Sequence, residues 1–409
     1  MRFISRRRGQ TAVPARTATR DATRLLNRGR SGALVLGLAV AAAVAVPASA
    51  SASTDGSPVV GHVYVNDNTA GVNTIGAFDR HADGTLTPEA GSPFAAGGAG
   101  TGSGLASQGA LQLSADGRFL IAADAGSNQV SVLRIRPDGS PKLVSHGVVA
   151  SGGVLPVSVA VSGDLVYVAN SGNGGSNYTG FRLRPNGRLD PIAGSTFALP
   201  DGSQPGDVLF NGTGTKLAGT EVGTSLIDSF TVGPDGRLTA APGSPFPGQG
   251  LGPFGGEFRP TNPGQLFVSN AHNGTGLGTV SAFTDSADGT LSPVAGSPFP
   301  DQQTAPCWVE ITHDGRFLFT VNTGSGTISR YQIATDGTLT LLGSTPVGMT
   351  GGVGAVDARL SPDGSFLYVD ESRIGAVGAF TVSGGNLAEL AASPFPLPAG
   401  ATPAGIVVN

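Results

Sequence analysis

Three charged side chains, Glu257, Glu310 and Arg359, each interrupt a short apolar run one residue before its end: Gly256-Glu257-Phe258, Val309-Glu310-Ile311 and Ala358-Arg359-Leu360. Charges inside apolar runs are uncommon, because an ion taken out of water needs a partner or solvent. Counting alternate residues in equivalent runs places Gln112, Ser158, Asp207 and Asp357 on the same face. A carboxylate so placed, Glu257 or Glu310, can serve as general base toward water, while Arg359 can hold a substrate carboxylate or a developing oxyanion. Asp207, Asp357 and Gln112 would supply further polar contacts to a bound molecule. The competing reading needs no ligand: Arg359 pairs with Glu310 and stabilises the fold. Glu221 ends the run Lys216-Leu217-Ala218-Gly219-Thr220-Glu221, where related runs end in Asn or Asp. It is a third catalytic candidate, or a turn-capping side chain.

The remaining reactive residue types offer less. His62, His81, His146, His272 and His313 show no metal-ligand spacing, so no metal site is expected. The oxygen-rich stretches 66–73 and 170–177 lack the acidic density of a calcium loop and read as flexible hairpins. Cys307 has no visible base beside it and reads as a buried structural thiol. The expected chemistry is therefore cofactor-independent.

A repeat positions these residues. The phrase Asp363-Gly364-Ser365-Phe366-Leu367-Tyr368-Val369 has close relatives at Asp314-Gly315-Arg316-Phe317-Leu318-Phe319 and Asp116-Gly117-Arg118-Phe119-Leu120-Ile121, with looser copies elsewhere. Taking Val63, Leu120, Val166, Leu217, Leu266, Leu318 and Leu367 as equivalent gives seven copies spaced 46 to 57 residues apart. Each copy reads as four strands: the probe strand, an alternating strand such as Thr327-Ile328-Ser329-Arg330-Tyr331, a short outer strand after an Asp-Gly hairpin, and a strand led by proline. Several outer strands run into Gly-Ser-Pro-Phe, where proline should end the ladder and the Phe should plug the seam to the next unit. Four antiparallel strands per ~50 residues, without helical periodicity, make an all-β, seven-bladed β-propeller. The first copy lacks its proline-led strand, and Pro403-Ala404-Gly405-Ile406-Val407-Val408 follows the last copy alone. The C-terminal strand should therefore pair with the N-terminal blade and close the ring.

Residues 1–52 are a different kind of polypeptide, with nine arginines in the first 50 positions against one acid, Asp21. A basic stretch, an apolar run at 33–46 and the small residues after Pro47 read as a signal peptide cleaved after Ala50 or Ala52. The apolar run has 14 residues, about 21 Å as a helix, too short to anchor in a ~30 Å bilayer core. Secretory and twin-arginine export both fit. The propeller domain, 53–409, is then expected outside the cytoplasm, without membrane insertion and as a monomer. Without the leader the 24 bases fall to 15 and the 28 acids to 27, a net charge of about −12. Such a surface disfavours nucleic acid and phosphorylated ligands, and leaves a small molecule or a cell-surface partner.

The repeated Asp-Gly-x-Phe-Leu-Tyr-Val, the Asn-ending strands and the Gly-Ser-Pro-Phe turns resemble the β-propeller lactonase family over residues 59–409. That family includes bacterial 6-phosphogluconolactonases and fungal carboxymuconate-lactonising enzymes. The resemblance implies a lactone hydrolase, and with the acidic surface a non-phosphorylated substrate. Family members often carry Pro-Arg-His on an inner strand, followed by a strand ending in Asn-Glu. Here Pro205 and Glu221 match, while Gly206 and Asp207 stand at the Arg and His positions. The missing pair favours the alternative, a non-catalytic binding or cell-surface scaffold; the charge kept on the inner face favours the enzyme.

Overall fold

The computed structural model describes residues 56–348 and 354–409, and the leader 1–52 lies outside them. Among the described residues thirty-three short strands form seven antiparallel sheets, the seven blades of a propeller. The innermost strands, from blade 1 to blade 7, are Ile406–Val408, Leu111–Leu113, Pro156–Ser162, Pro205–Phe210, Pro253–Arg259, Pro306–Ile311 and Ala355–Leu360. Ring closure is as the incomplete first copy requires: Val408, Val407 and Ile406 pair with Val63, Tyr64 and Val65.

The repeated phrase forms the second strand of each blade, packed on both faces by neighbouring blades. Phe119–Asp124, Leu165–Asn170 and Phe317–Asn322 are buried at every position, which is why these runs are largely apolar up to their polar last residue. The phrase also locks blade to blade. Tyr64, Tyr167 and Tyr368 donate their hydroxyls to the carbonyls of Gly139, Gly236 and Gly84, the hairpin glycines of the next blade. Gly84 has φ +84°, and a Cβ there would lie 2.3 Å from the Phe366 ring, so turn and packing both demand glycine.

Two expectations need correction. Five of the blades carry a fifth short strand, because the Phe of Gly-Ser-Pro-Phe, or of its variants Gly194-Ser195-Thr196-Phe197 and Ala392-Ser393-Pro394-Phe395, begins a segment that returns to the third strand, as Phe94–Gly100 and Phe299–Pro300 do. The serine bridges the switch: Ser92, Ser244 and Ser297 accept the third-strand N–H groups of Ala77, Ser229 and Ala282 at 2.9, 3.0 and 2.8 Å. Blades 2 and 6 lack the motif, and there one longer strand with a register shift covers the same edge. The stretches 66–73 and 170–177 are not loose hairpins either. Asn66 and Asn170 are fully buried, and Asn73 bonds Asn66 at 2.9 Å and Asp124 at 2.8 Å, sealing the seam between blades 1 and 2.

Candidate functional site

The inner strands leave a row of N–H groups facing the axis with no further strand to bond, and buried donors must find acceptors. The charged inner face supplies them. Ser158 accepts from Val208 N (3.2 Å), Asp207 from Gly256 N (3.0 Å), Glu257 from Ile311 N (2.6 Å) and Glu310 from Leu360 N (2.8 Å), each bond reaching into the next blade. This belt links blades 3 to 7. Strand alternation therefore put the right residues on the axis, and the belt gives them a structural role.

Arg359 is the cation among them. Its Nη1 lies 3.2 Å from Glu310 Oε2, and the side chains are 24% and 6% exposed. Burial opposes the Arg359 charge, but Glu310, Asp357, Glu257 and Asp207 offset that and hold the guanidinium above its ordinary pKa. The carboxyls are displaced the other way. Burial pushes Asp207 up to about 7, and it also raises Glu257 well above the usual carboxylate range, with the Glu310 charge adding to the effect. Burial also raises Glu310 and Asp357, with Arg359 pulling both back.

The channel is not open from end to end. The segment 104–109, leading into the inner strand of blade 2, crosses it. Gln108 receives Val309 N at 2.9 Å on its side-chain oxygen and donates to the carbonyls of Gly256 (3.1 Å) and Val309 (3.3 Å). The Trp308 indole donates to Ser107 O at 2.7 Å, and Gly109 N donates to Asp357 at 3.0 Å. Two cavities result. Where the inner strands begin, a largely apolar one of about 270 Å³ is lined by Leu105, Phe254, Cys307, Trp308 and Val356. Where they end, a polar one of about 300 Å³ is lined by Gln108, Gln112, Asp207, Glu257 and Arg359, with Val161, Phe210 and Phe258 as apolar wall.

The structure thus brings Gln112, Asp207, Glu257 and Arg359 to one cavity, with Glu310 bonded behind Arg359 and Asp357 under the crossing segment. Glu221 does not join them. It is 2% exposed and sits in a seam beside Thr224, Asp228 and Tyr178, as its place at a second-strand end dictates. Burial, and then the Glu221 charge, push Asp228 up to about 8. Burial pushes the Cys307 thiol up to about 12, which leaves it un-ionised at neutral pH. Sequence reasoning missed Gln108; a polar residue before the Gly109 turn was the only local signal.

Within this geometry Glu257 is the group best placed for chemistry. Ile311 N occupies Oε2, no protein donor among the described residues reaches Oε1, and the residue is partly exposed to the cavity. A carboxyl of raised pKa is a stronger base once ionised.

Comparison with known proteins agrees with the fold. The sequence profile of the family described as Lactonase, 7-bladed beta-propeller, matches residues 65–242 and 258–347. No curated protein matches the chain. Among solved structures, a protein of Bacteroides uniformis provisionally named 6-phosphogluconolactonase aligns with TM-score 0.69 at 20% identity, over 86% of this chain and 100% of its own. A periplasmic gluconolactonase of Pseudomonas aeruginosa aligns with TM-score 0.66 at 18% identity, over 85% and 98%. At such identities the likeness is one of fold.

Proposed function

The chain belongs to the lactonase family of seven-bladed β-propellers, and on that premise we propose that its polar channel cavity hydrolyses a small, non-phosphorylated lactone outside the cytoplasm. The observation that carries this reading is the convergence of Glu257, Asp207 and Arg359 on one solvent-open cavity of about 300 Å³. Ionised Glu257 takes a proton from water as the water oxygen attacks the lactone carbonyl carbon. Arg359 stabilises the oxyanion. Collapse of the tetrahedral species breaks the ring C–O bond, and Glu257 returns its proton to the departing alkoxide, giving the open hydroxy acid. One guanidinium among four carboxyl groups is a poor match for a phosphate dianion, which supports a neutral substrate. Export rests on the leader, and mass spectrometry of exported protein should find it beginning near Ser51 or Ser53.

A second reading has its own observation. The belt gives Asp207, Glu257 and Glu310 each a backbone donor without any substrate, as a non-catalytic scaffold would require. A panel of neutral and phosphorylated lactones, followed by acid release, separates the two. On the enzymatic reading Glu257→Gln lowers kcat at least 100-fold with little change in KM, and the activity of the parent protein rises with pH as Glu257 ionises. No turnover on any lactone, or a Glu257→Gln variant as active as the parent and equally stable, overturns it.

A further inference from the structure

Away from the channel, His62, Asp79 and Glu89 meet at the outer part of blade 1. His62 and Asp79 are direct cross-strand partners, and Glu89 follows Pro88, the partner of Phe78, so the three stand side by side across successive strands. One ligand atom from each lies within 4.8 Å of the others. Nδ1 of His62 is 3.3 Å from Asp79 Oδ1 and 3.9 Å from Glu89 Oε2. Ligands at ~2.1 Å in tetrahedral geometry stand about 3.4 Å apart, so these separations fit one ion after small side-chain adjustments.

Burial adds an independent argument. The Glu89 side chain is only 9% exposed, and among the described residues no hydrogen-bond donor serves its carboxylate. Nδ1 of His62 is buried and has no hydrogen-bond partner among the described residues. Arg80, the nearest cation, turns its guanidinium to the carbonyls of Val60 and Asn409 instead. The imidazole is packed by the blade 2 hairpin, where a Cβ on Gly139 would lie 2.0 Å from the ring carbon between the two nitrogens. A buried carboxylate and a buried imidazole nitrogen, facing each other and the partly exposed carboxylate of Asp79, call for a proton or a cation between them.

We propose that His62, Asp79 and Glu89 bind a divalent cation of the zinc class, with water in the remaining position. The imidazole ligand selects against calcium and magnesium, which take oxygen donors. The ion ties together three strands of the blade that the C-terminal strand completes, and His62 N itself bonds Asn409 Oδ1 at 2.7 Å. Its role is to brace ring closure.

The test uses the whole exported protein, stripped with chelator and then equilibrated with ZnCl2 or MgCl2. Expected are one zinc per chain after gel filtration, a rise in melting temperature with ZnCl2 and none with MgCl2. His62→Ala and Glu89→Gln should each weaken zinc binding at least tenfold, while His81→Ala leaves it unchanged. If either variant fails to fold, Asp79→Asn, at a site 30% exposed, serves as the reading. Substoichiometric zinc, equal stabilisation by magnesium, or undiminished zinc binding in folded His62→Ala or Asp79→Asn overturns the proposal. Lactone turnover is not read, so this result is independent of the proposed function.

Discussion

Deleting residues 403–409 removes under two per cent of the chain and should cost most of its stability. Ile406, Val407 and Val408 are 0, 3 and 7% exposed, and burying three such side chains is worth about 5–9 kcal/mol. The lost segment also carries hydrogen bonds from Ala404 N to Asn66 O (3.0 Å), from Asn66 N to Gly405 O (2.8 Å) and from Asn409 N to His62 O (3.0 Å), at about 1 kcal/mol each. Together these approach the whole stability of a typical domain, about 5–15 kcal/mol. The deletion also exposes the paired edge of Val59–Asn66 to other chains. Thermal unfolding followed by circular dichroism and by fluorescence of Trp308, the single tryptophan, should show a lost or far lower transition, with aggregation on gel filtration. A graded variant keeps the test quantitative: Ile406→Ala should cost about 2–5 kcal/mol. Melting of the truncated protein within a few degrees of the parent would refute the reasoning that this strand closes the ring.

Stability should also fall as pH rises through neutrality. Asp67, Asp207 and Glu371 are pushed up to about 7 and Asp228 to about 8, burial being the main cause in each, so the folded state holds protons that the unfolded chain has released above about pH 4. Their contribution is complete below that unfolded value and is lost as pH passes through 7 to 8; the urea midpoint should be higher at pH 5 than at pH 8.5, and a rise over that range would contradict the assignment. Gln108→Ala should leave the buried Val309 N without an acceptor, cost about 1–3 kcal/mol in urea unfolding, and join the two cavities; an unchanged midpoint would show that the crossing segment does not need this side chain.

The channel face was legible because side-chain direction in a strand has period two. Once Val309-Glu310-Ile311 and Ala358-Arg359-Leu360 were read as inner strands, the meeting of Glu310 and Arg359 followed from their equal level on adjacent blades. Glu221, a catalytic candidate or a turn cap by its place at the end of its run, takes the second role: Thr224 of the following turn donates to its carboxylate. It ends a second strand, and those ends point into the seams between blades, where Asn66, Asn170 and Asp228 also gather.

The sequence by itself determined the blade count, the order of strands within a blade and the closing strand, since each is written in a repeat of local pattern and in the copy left incomplete. Tertiary structure alone decided that residues 104–109 cross the channel, that five blades gain a short fifth strand, and that His62, Asp79 and Glu89 face one another. Alternation and turn chemistry act over a few residues and fix which way a side chain points. Gln108 and Val309 are 201 positions apart, and what occupies the space a side chain points into depends on how the ring brings such distant segments together.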